Sequence, residues 1–320
     1  MTSALLVPRL AGLAAAGVTL LGAVTLAGSA ATINPWFDLA THFRPHYVAC
    51  GLLAFIVLGV AGWSRWASIT AVLITWHAFA IWPYLWPTQR PDPPPANTAA
   101  NLRVLNANVL TANRQTTALL DLVRDSDPDI VVLQEVDSYW LDATAELNSR
   151  FPFRLAITRD DNFGIAAFSR WPGSRLERID LTSDSTPSIS VELPIGNSAI
   201  YVLATHPVPP IGVALSDRRN RQLAAAAAWV GRWPASKLLV GDLNITPWSP
   251  AFAELLAVGK LRDSRREHGL APTWPAALGW VGIPIDHALP GAGLRLQTFE
   301  TRLVAGSDHR AILSHWRVTP

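Results

Sequence analysis

Four short apolar runs beyond residue 100 each stop on a polar island, and that repeat constrains the fold more than any other feature. Val104-Leu105 leads to Asn106 and Asn108, and residues 130–133 lead to Gln134-Glu135. Residues 201–204 lead to Thr205-His206, and residues 238–240 to Gly241-Asp242-Leu243-Asn244. A fifth island, Asp308-His309, stands near the end of the chain. Continuous apolar runs of this length fit strands buried on both faces. Nine strands are predicted, over 102–108, 130–135, 153–158, 164–169, 188–193, 199–205, 237–242, 285–289 and 311–317. Helical patterns at 116–124, 139–147, 218–230 and 250–258 fall between them. Strands interleaved with helices predict an α/β layered domain.

The residue types at the strand ends suit metal-assisted hydrolysis of a phosphoester. A phosphodiester is anionic and repels hydroxide, so the reaction needs a hard cation with oxygen ligands such as Glu135 and Asp308. Asp242 suits the carboxylate that orients and deprotonates water. Asn106 and Asn244 suit neutral donors to the phosphate oxygens. His206 and His309 suit a group that stabilises charge or protonates the leaving oxygen. Asp242 and Asn244 are two apart, so on an extended strand they face the same way.

In order and spacing, these islands resemble the endonuclease/exonuclease/phosphatase superfamily, the DNase I-like hydrolases. The matching stretches are 105–108, 133–135, 164–170, 205–207, 241–244, 273–275, 285–287 and 307–309. The resemblance implies a four-layer α/β/β/α sandwich with the site at one edge of the paired sheets. It implies Mg²⁺ or Mn²⁺ held by Glu135 and Asp308, with Asn108 assisting through its carbonyl oxygen. Many relatives carry aspartate where Asn108 stands, so that ligand would be neutral here. It further implies that Asp286 pairs with His309 and that His206 is a second catalytic histidine. For His206 the alternative is a structural histidine. Arg170 either contacts substrate phosphate or pins a loop. The run 218–221, with three arginines, reads most simply as the solvated first turn of a helix, the alternative being a basic mouth.

Residues 1–87 have a different character. Residues 10–33, 47–64 and 66–86 carry almost no charge, and each is long enough, or nearly so, to cross a hydrocarbon core of about 30 Å. Three transmembrane helices are predicted, the first with a cleaved signal peptide as its alternative. Trp36, Trp63, Trp66, Trp82, Tyr84 and Trp86 lie at the stretch ends, as interfacial aromatics do. Arg9 and Arg65 mark the inner side, which puts the C-terminal domain in the periplasm or outside the cell. Residues 88–100, rich in proline, read as a tether to a catalytic domain over 101–320. Cys50 is the only cysteine, so no intramolecular disulfide forms.

Residues 101–320 hold 22 Lys or Arg and 22 Asp or Glu. This balance argues against a non-specific nucleic-acid binder, whose affinity rests on neutralising many phosphates. The expected partners are the bilayer and a phosphoester substrate: a lipid head group, a nucleic acid or another envelope phosphoester. No obligate protein partner is inferred. Two other functions compete, a membrane-tethered nuclease and a non-catalytic binding protein built on a degenerate hydrolase domain.

Overall fold

The central strands hide apolar side chains on both faces, and the layering follows from that. The computed structural model describes residues 3–86, 101–184 and 186–318. Among these, one sheet holds β1 (Asn101–Asn108), β2 (Ile130–Gln134), β3 (Phe153–Ile157), β4 (Ile165–Ser169), β10 (Leu294–Leu303) and β11 (Arg310–Val318). Its order is β10-β11-β1-β2-β4-β3. The second sheet holds β5 (Arg175–Ile179), β6 (Ser188–Ile195), β7 (Ser198–Ala204), β8 (Lys237–Asp242) and β9 (Asp286–Pro290), in that order.

Val104, Ile130, Val132 and Ile312 of the first sheet pack against Val191, Val202, Leu238 and Val240 of the second. The opposite faces are covered by helices. Leu119 and Val123 of α4 (Thr116–Ser126) and Trp140 of α5 (Ser138–Ala143) cover Leu105, Val131 and Phe168. Leu223, Ala226 and Val230 of α6 (Val213–Gly231) and Phe252 of α7 (Pro250–Gly259) cover Leu203, Leu239 and Leu289. The result is the expected four-layer sandwich. Each large apolar side chain taken from water contributes roughly 1.5–3 kcal/mol.

Two strands were not foreseen. β5 reads Arg-Leu-Glu-Arg-Ile and β10 alternates polar and apolar residues, because both are edge strands with solvated positions. The helix expected over 218–230 begins earlier, at Val213, and the one expected over 139–147 breaks after α5 into a 3₁₀ turn, Ala145–Ser149.

The N-terminal region forms α1 (Ser3–Ser29), a 3₁₀ helix at Pro35–Thr41, α2 (Arg44–Val60) and α3 (Ser64–Leu85). Leu6–Ser29 and Ser64–Leu85 are long and apolar enough to cross a membrane. The 3₁₀ helix with α2, bent by 53°, gives a third candidate. Ala11, Ala15 and Val18 pack on Leu58 and Ala67, while Thr25 bonds His77 at 2.9 Å. The helices therefore alternate in direction, and Ser29, Arg44 and Leu85 share one end. The proline-rich stretch expected as a linker over 88–100 lies outside the described residues.

That shared end docks on the sandwich. Tyr84 donates to Asp263 at 2.7 Å and stacks edge-on against Trp248. Asp38 of the 3₁₀ helix is buried and accepts from Arg219 Nη2 at 2.6 Å and from Ser249 Oγ at 2.8 Å. Arg219 is thus fully buried in α6, not solvated, which corrects the reading of the 218–221 run at that position. Removing one partner of a buried ion pair costs about 3–5 kcal/mol, because the other charge is left uncompensated. Asp38→Ala should lower the thermal midpoint of the full chain in detergent micelles by several degrees, and adding Arg219→Leu should recover part of the loss. An unchanged midpoint for Asp38→Ala would mean that the pair does not hold the two regions together.

Candidate active site

Alternation along the strands decides which side chains reach the sandwich edge. In β1, Leu102 and Val104 face the other sheet, so Asn106 and Asn108 continue that face. Ile130 and Val132 do the same in β2, and Glu135, just past the strand's last residue Gln134, turns out of the strand with φ of 63°. In the second sheet Gly241 has φ of 148°, and a Cβ there would stand 1.9 Å from the Thr205 carbonyl oxygen. Only glycine lets β8 run that close to the end of β7, which sets Asp242 beside His206. The antiparallel register of β8 and β9 puts Asp242 opposite Asp286.

Two carboxylates side by side call for a cation, and His309, arriving from the loop before β11, supplies one. Its Nδ1 donates to Asp286 Oδ2 at 2.9 Å, and its Nε2 lies 3.6 Å from Asp242 Oδ2. A carboxylate accepts only, so the Asp286 bond fixes the proton on Nδ1. Burial works against the imidazolium, but Asp286 and Asp242 outweigh it and lift the His309 pKa to about 10. Burial likewise works against an ionised Asp242. His309, His206 and the Asn244 N–H overcome it and hold the carboxyl at about 2. His206 Nε2 stands 3.4 Å from Asp242 Oδ2, and its Nδ1 is buried without a partner.

Glu135 lines the same cavity as Asp242, His206 and His309. Its Oε1 accepts from Asn108 Nδ2 at 2.8 Å and its Oε2 from the Thr111 N–H at 3.2 Å. Both partners are neutral, and among the described residues no cationic side chain pairs with it. A buried carboxylate with only neutral donors fits a bound cation. The surrounding oxygen and imidazole donors, without thiolate, suit a hard divalent ion.

Not every expected site residue meets this cavity. Asn106 stands one pleat behind Asn108; its Oδ1 accepts from Gln134 and its Nδ2 is buried without a partner among the described residues. Asn244 is on the wall, but its Nδ2 is donated to the Pro207 carbonyl at 3.0 Å. Asn108 turns its carbonyl oxygen to the Leu110 N–H at 3.1 Å and its amide nitrogen to Glu135 and Asp242. The expected ligand atom of Asn108 therefore faces away. Asp308 is exposed, with Oδ2 accepting from Trp274 Nε1 at 3.0 Å.

Arg170 is not at the site. It is bound to Asp127 and Asp129, at the opposite end of β2 from Glu135. Antiparallel pairing of Ile130 with Ser169 puts it there, and the five residues of β2 separate it from the site by roughly 16 Å. Of its two readings, loop pinning holds. Sequence reasoning also passed over Thr111, whose N–H and hydroxyl both bond Glu135, and the pair Asp38–Arg219. Arg219 Nη1 donates to the Asn244 carbonyl at 2.7 Å, so the pair backs the loop that follows Asp242. A signal for it existed, since Asp38 is the only acidic residue before Asp92. A lone carboxylate in an apolar region needs a partner.

No curated protein matches the chain. The fold is similar to that of an endonuclease/exonuclease/phosphatase from Beutenbergia cavernae DSM 12333, at 19% identity and a TM-score of 0.56, covering 68% of this chain and 72% of that one. It is similar to D. rerio TDP2 complexed with single-strand DNA product, at 17% identity, a TM-score of 0.54, and coverage of 68% and 99%. It is similar also to sphingomyelinase C from Streptomyces griseocarneus, at 20% identity, a TM-score of 0.51, and coverage of 68% and 99%. The model of the Endonuclease/Exonuclease/phosphatase family matches residues 98–309. The chain therefore belongs to the endonuclease/exonuclease/phosphatase family, whose members are metal-dependent hydrolases of phosphoester bonds.

Proposed function

We propose that the chain is a membrane-anchored, divalent-metal-dependent phosphoesterase that hydrolyses a phosphodiester on the outer side of the membrane. The observation that carries this reading is the meeting of Asp242, Asp286 and His309, with one ligand atom of each within 4.8 Å of the others, beside Glu135. Asp286 holds the His309 ring so that Nε2 faces Asp242 and the reacting phosphate. Asp242 orients the attacking water. The water oxygen forms a new P–O bond, and the ester P–O bond breaks with its electron pair on the leaving oxygen. That oxygen takes its proton from His309, and the water proton passes through Asp242 to solvent. The products are a phosphomonoester and an alcohol. His206 donates to Asp242 and helps to keep it ionised.

The unpartnered Asn106 Nδ2 is available to a phosphate oxygen if that oxygen reaches behind Asn108, whereas Asn244 must first release Pro207. When bound at Glu135, with Asp308 joining only after it releases Trp274, Mg²⁺ or Mn²⁺ would neutralise phosphate charge and polarise a phosphoryl oxygen.

If Asp286 acts through His309, the two form one unit. With bis(p-nitrophenyl) phosphate as substrate, Asp286→Asn should lower kcat by about 10²–10⁴-fold while KM stays within a few-fold. His309→Ala should cost at least as much, and the double variant little more than His309→Ala alone. Multiplying losses would mean that the residues work independently and that the dyad is wrong.

Anchoring rests on α1 and α3, and orientation on Arg9 and Arg65 at the end away from the catalytic domain. A C-terminal alkaline phosphatase fusion in a bacterial host should be active, since that reporter folds only outside the cytoplasm. Activity from a cytoplasmic reporter alone at that position would reverse the orientation.

A further inference from the structure

The cavity above the candidate site, of about 440 Å³, is shared between the two regions of the chain. Its polar floor comes from the catalytic domain: Glu135, His206, Asp242 and His309. Its opposite wall comes from the segment that joins α1 to α2, through Trp36, Leu39 and Phe43. This segment is held against the domain by the buried Asp38–Arg219 pair and by His42 Nδ1 at 3.1 Å from Thr246 Oγ1. The wall is therefore a built feature.

The cavity also stands at the level where the spanning helices end. The wall follows directly on α1, and Arg44 starts α2 just beyond Phe43. His46, in the first turn of α2, bonds the Val281 carbonyl at 2.5 Å, which brings the 276–283 loop to the same level. That loop carries Trp280, 87% exposed, and Ile33 at the end of α1 is 83% exposed. Ile211, also on the cavity wall, is 71% exposed. Apolar side chains this bare beside the ends of membrane-spanning helices suit the interfacial zone of a bilayer. A polyanion such as nucleic acid would need cationic side chains along its track, and the wall contributed by residues 36–43 has none.

We infer that the substrate is an amphiphile, a phosphoester lipid taken from the outer leaflet. Its apolar portion lies against Trp36, Leu39 and Phe43 while its phosphate meets Asp242, His206 and His309. The inference rests on the hydrolytic reading above and uses the same step, in which water replaces one ester oxygen on phosphorus. It makes the N-terminal region half of the substrate site as well as an anchor.

The test uses the full chain in detergent micelles with Mn²⁺. The substrates are dioctanoyl phosphatidylcholine, phosphatidylethanolamine and phosphatidylglycerol, octanoyl sphingomyelin, the deacylated glycerophosphodiesters, single-stranded and duplex oligonucleotides, and bis(p-nitrophenyl) phosphate. The readout is kcat/KM for a lipid divided by that for its deacylated head-group diester. Burial of several methylenes at the wall should make this ratio at least about 10² for the best lipid. Leu39→Asn should lower the ratio by about tenfold, and so should Trp36→Ala, a half-exposed position where truncation does not threaten folding. A ratio near one, a ratio that neither variant changes, or a preference for an oligonucleotide overturns the lipid assignment. Turnover of bis(p-nitrophenyl) phosphate with no lipid hydrolysed also overturns it, while the phosphoesterase reading stands. No turnover of any phosphoester removes both.

Discussion

The packing of one sheet on the other is the constraint on which the site depends. Neither sheet carries a complete set of chemical groups. His309 comes from the six-stranded sheet and its partner Asp286 from the five-stranded one. Asn108 and Glu135 belong to the first sheet, Asp242 and His206 to the second. Interdigitation of the apolar inner faces holds the strand ends in register, so that groups from both meet within hydrogen-bond distance. A slip of one residue in β8 would turn Asp242 away from the cavity and aim Gly241 into it. The apolar runs and the polar islands are thus parts of one device, since the runs fix the depth at which the islands emerge.

The electrostatics follow from that convergence. Asp242 and Asp286, set opposite each other by the β8–β9 register, would repel if both were ionised alone. His309 between them removes the conflict, and it gains a fixed tautomer and a firmly held proton in return. Glu135 has no such partner, and that difference separates its expected role from theirs. The Asp38–Arg219 pair extends the network across the boundary between the two regions. It reaches Asn244 through Arg219 Nη1, so the segment between α1 and α2 is tied to the loop that follows Asp242.

What could be read from the sequence depended on whether local pattern or long-range pairing decided the outcome. The α/β layering was legible because strands buried on both faces read as unbroken apolar runs, while the four-layer arrangement came from the family resemblance. The residues gathered at the cavity floor were legible because a polar residue directly after such a run emerges at the sheet edge. β5 and β10 were not, because an edge strand with one solvated face carries charges that look like loop. The choice between the two readings of Arg170 was not legible, because antiparallel pairing sends the end of β4 to the far side of the sheet, a fact of topology and not of local sequence. Arg219 looked solvated because its partner lies 181 residues away in a region read only as anchor. The side-chain direction of Asn108, and the bond that ties Asn244 to Pro207, are set by neighbours that no spacing rule identifies.

Asp242 is the group on which Asn108, His206 and His309 converge, at the heart of the proposed metal-dependent hydrolytic centre. Hydrolysis of bis(p-nitrophenyl) phosphate by the full chain in Mn²⁺, with and without excess chelator, for the native protein and for Asp242→Asn, tests it most directly. Chelator should abolish turnover and Asp242→Asn should lower it by about 10³-fold or more, with the fold intact by circular dichroism. Native rates in excess chelator, or from Asp242→Asn, would contradict it.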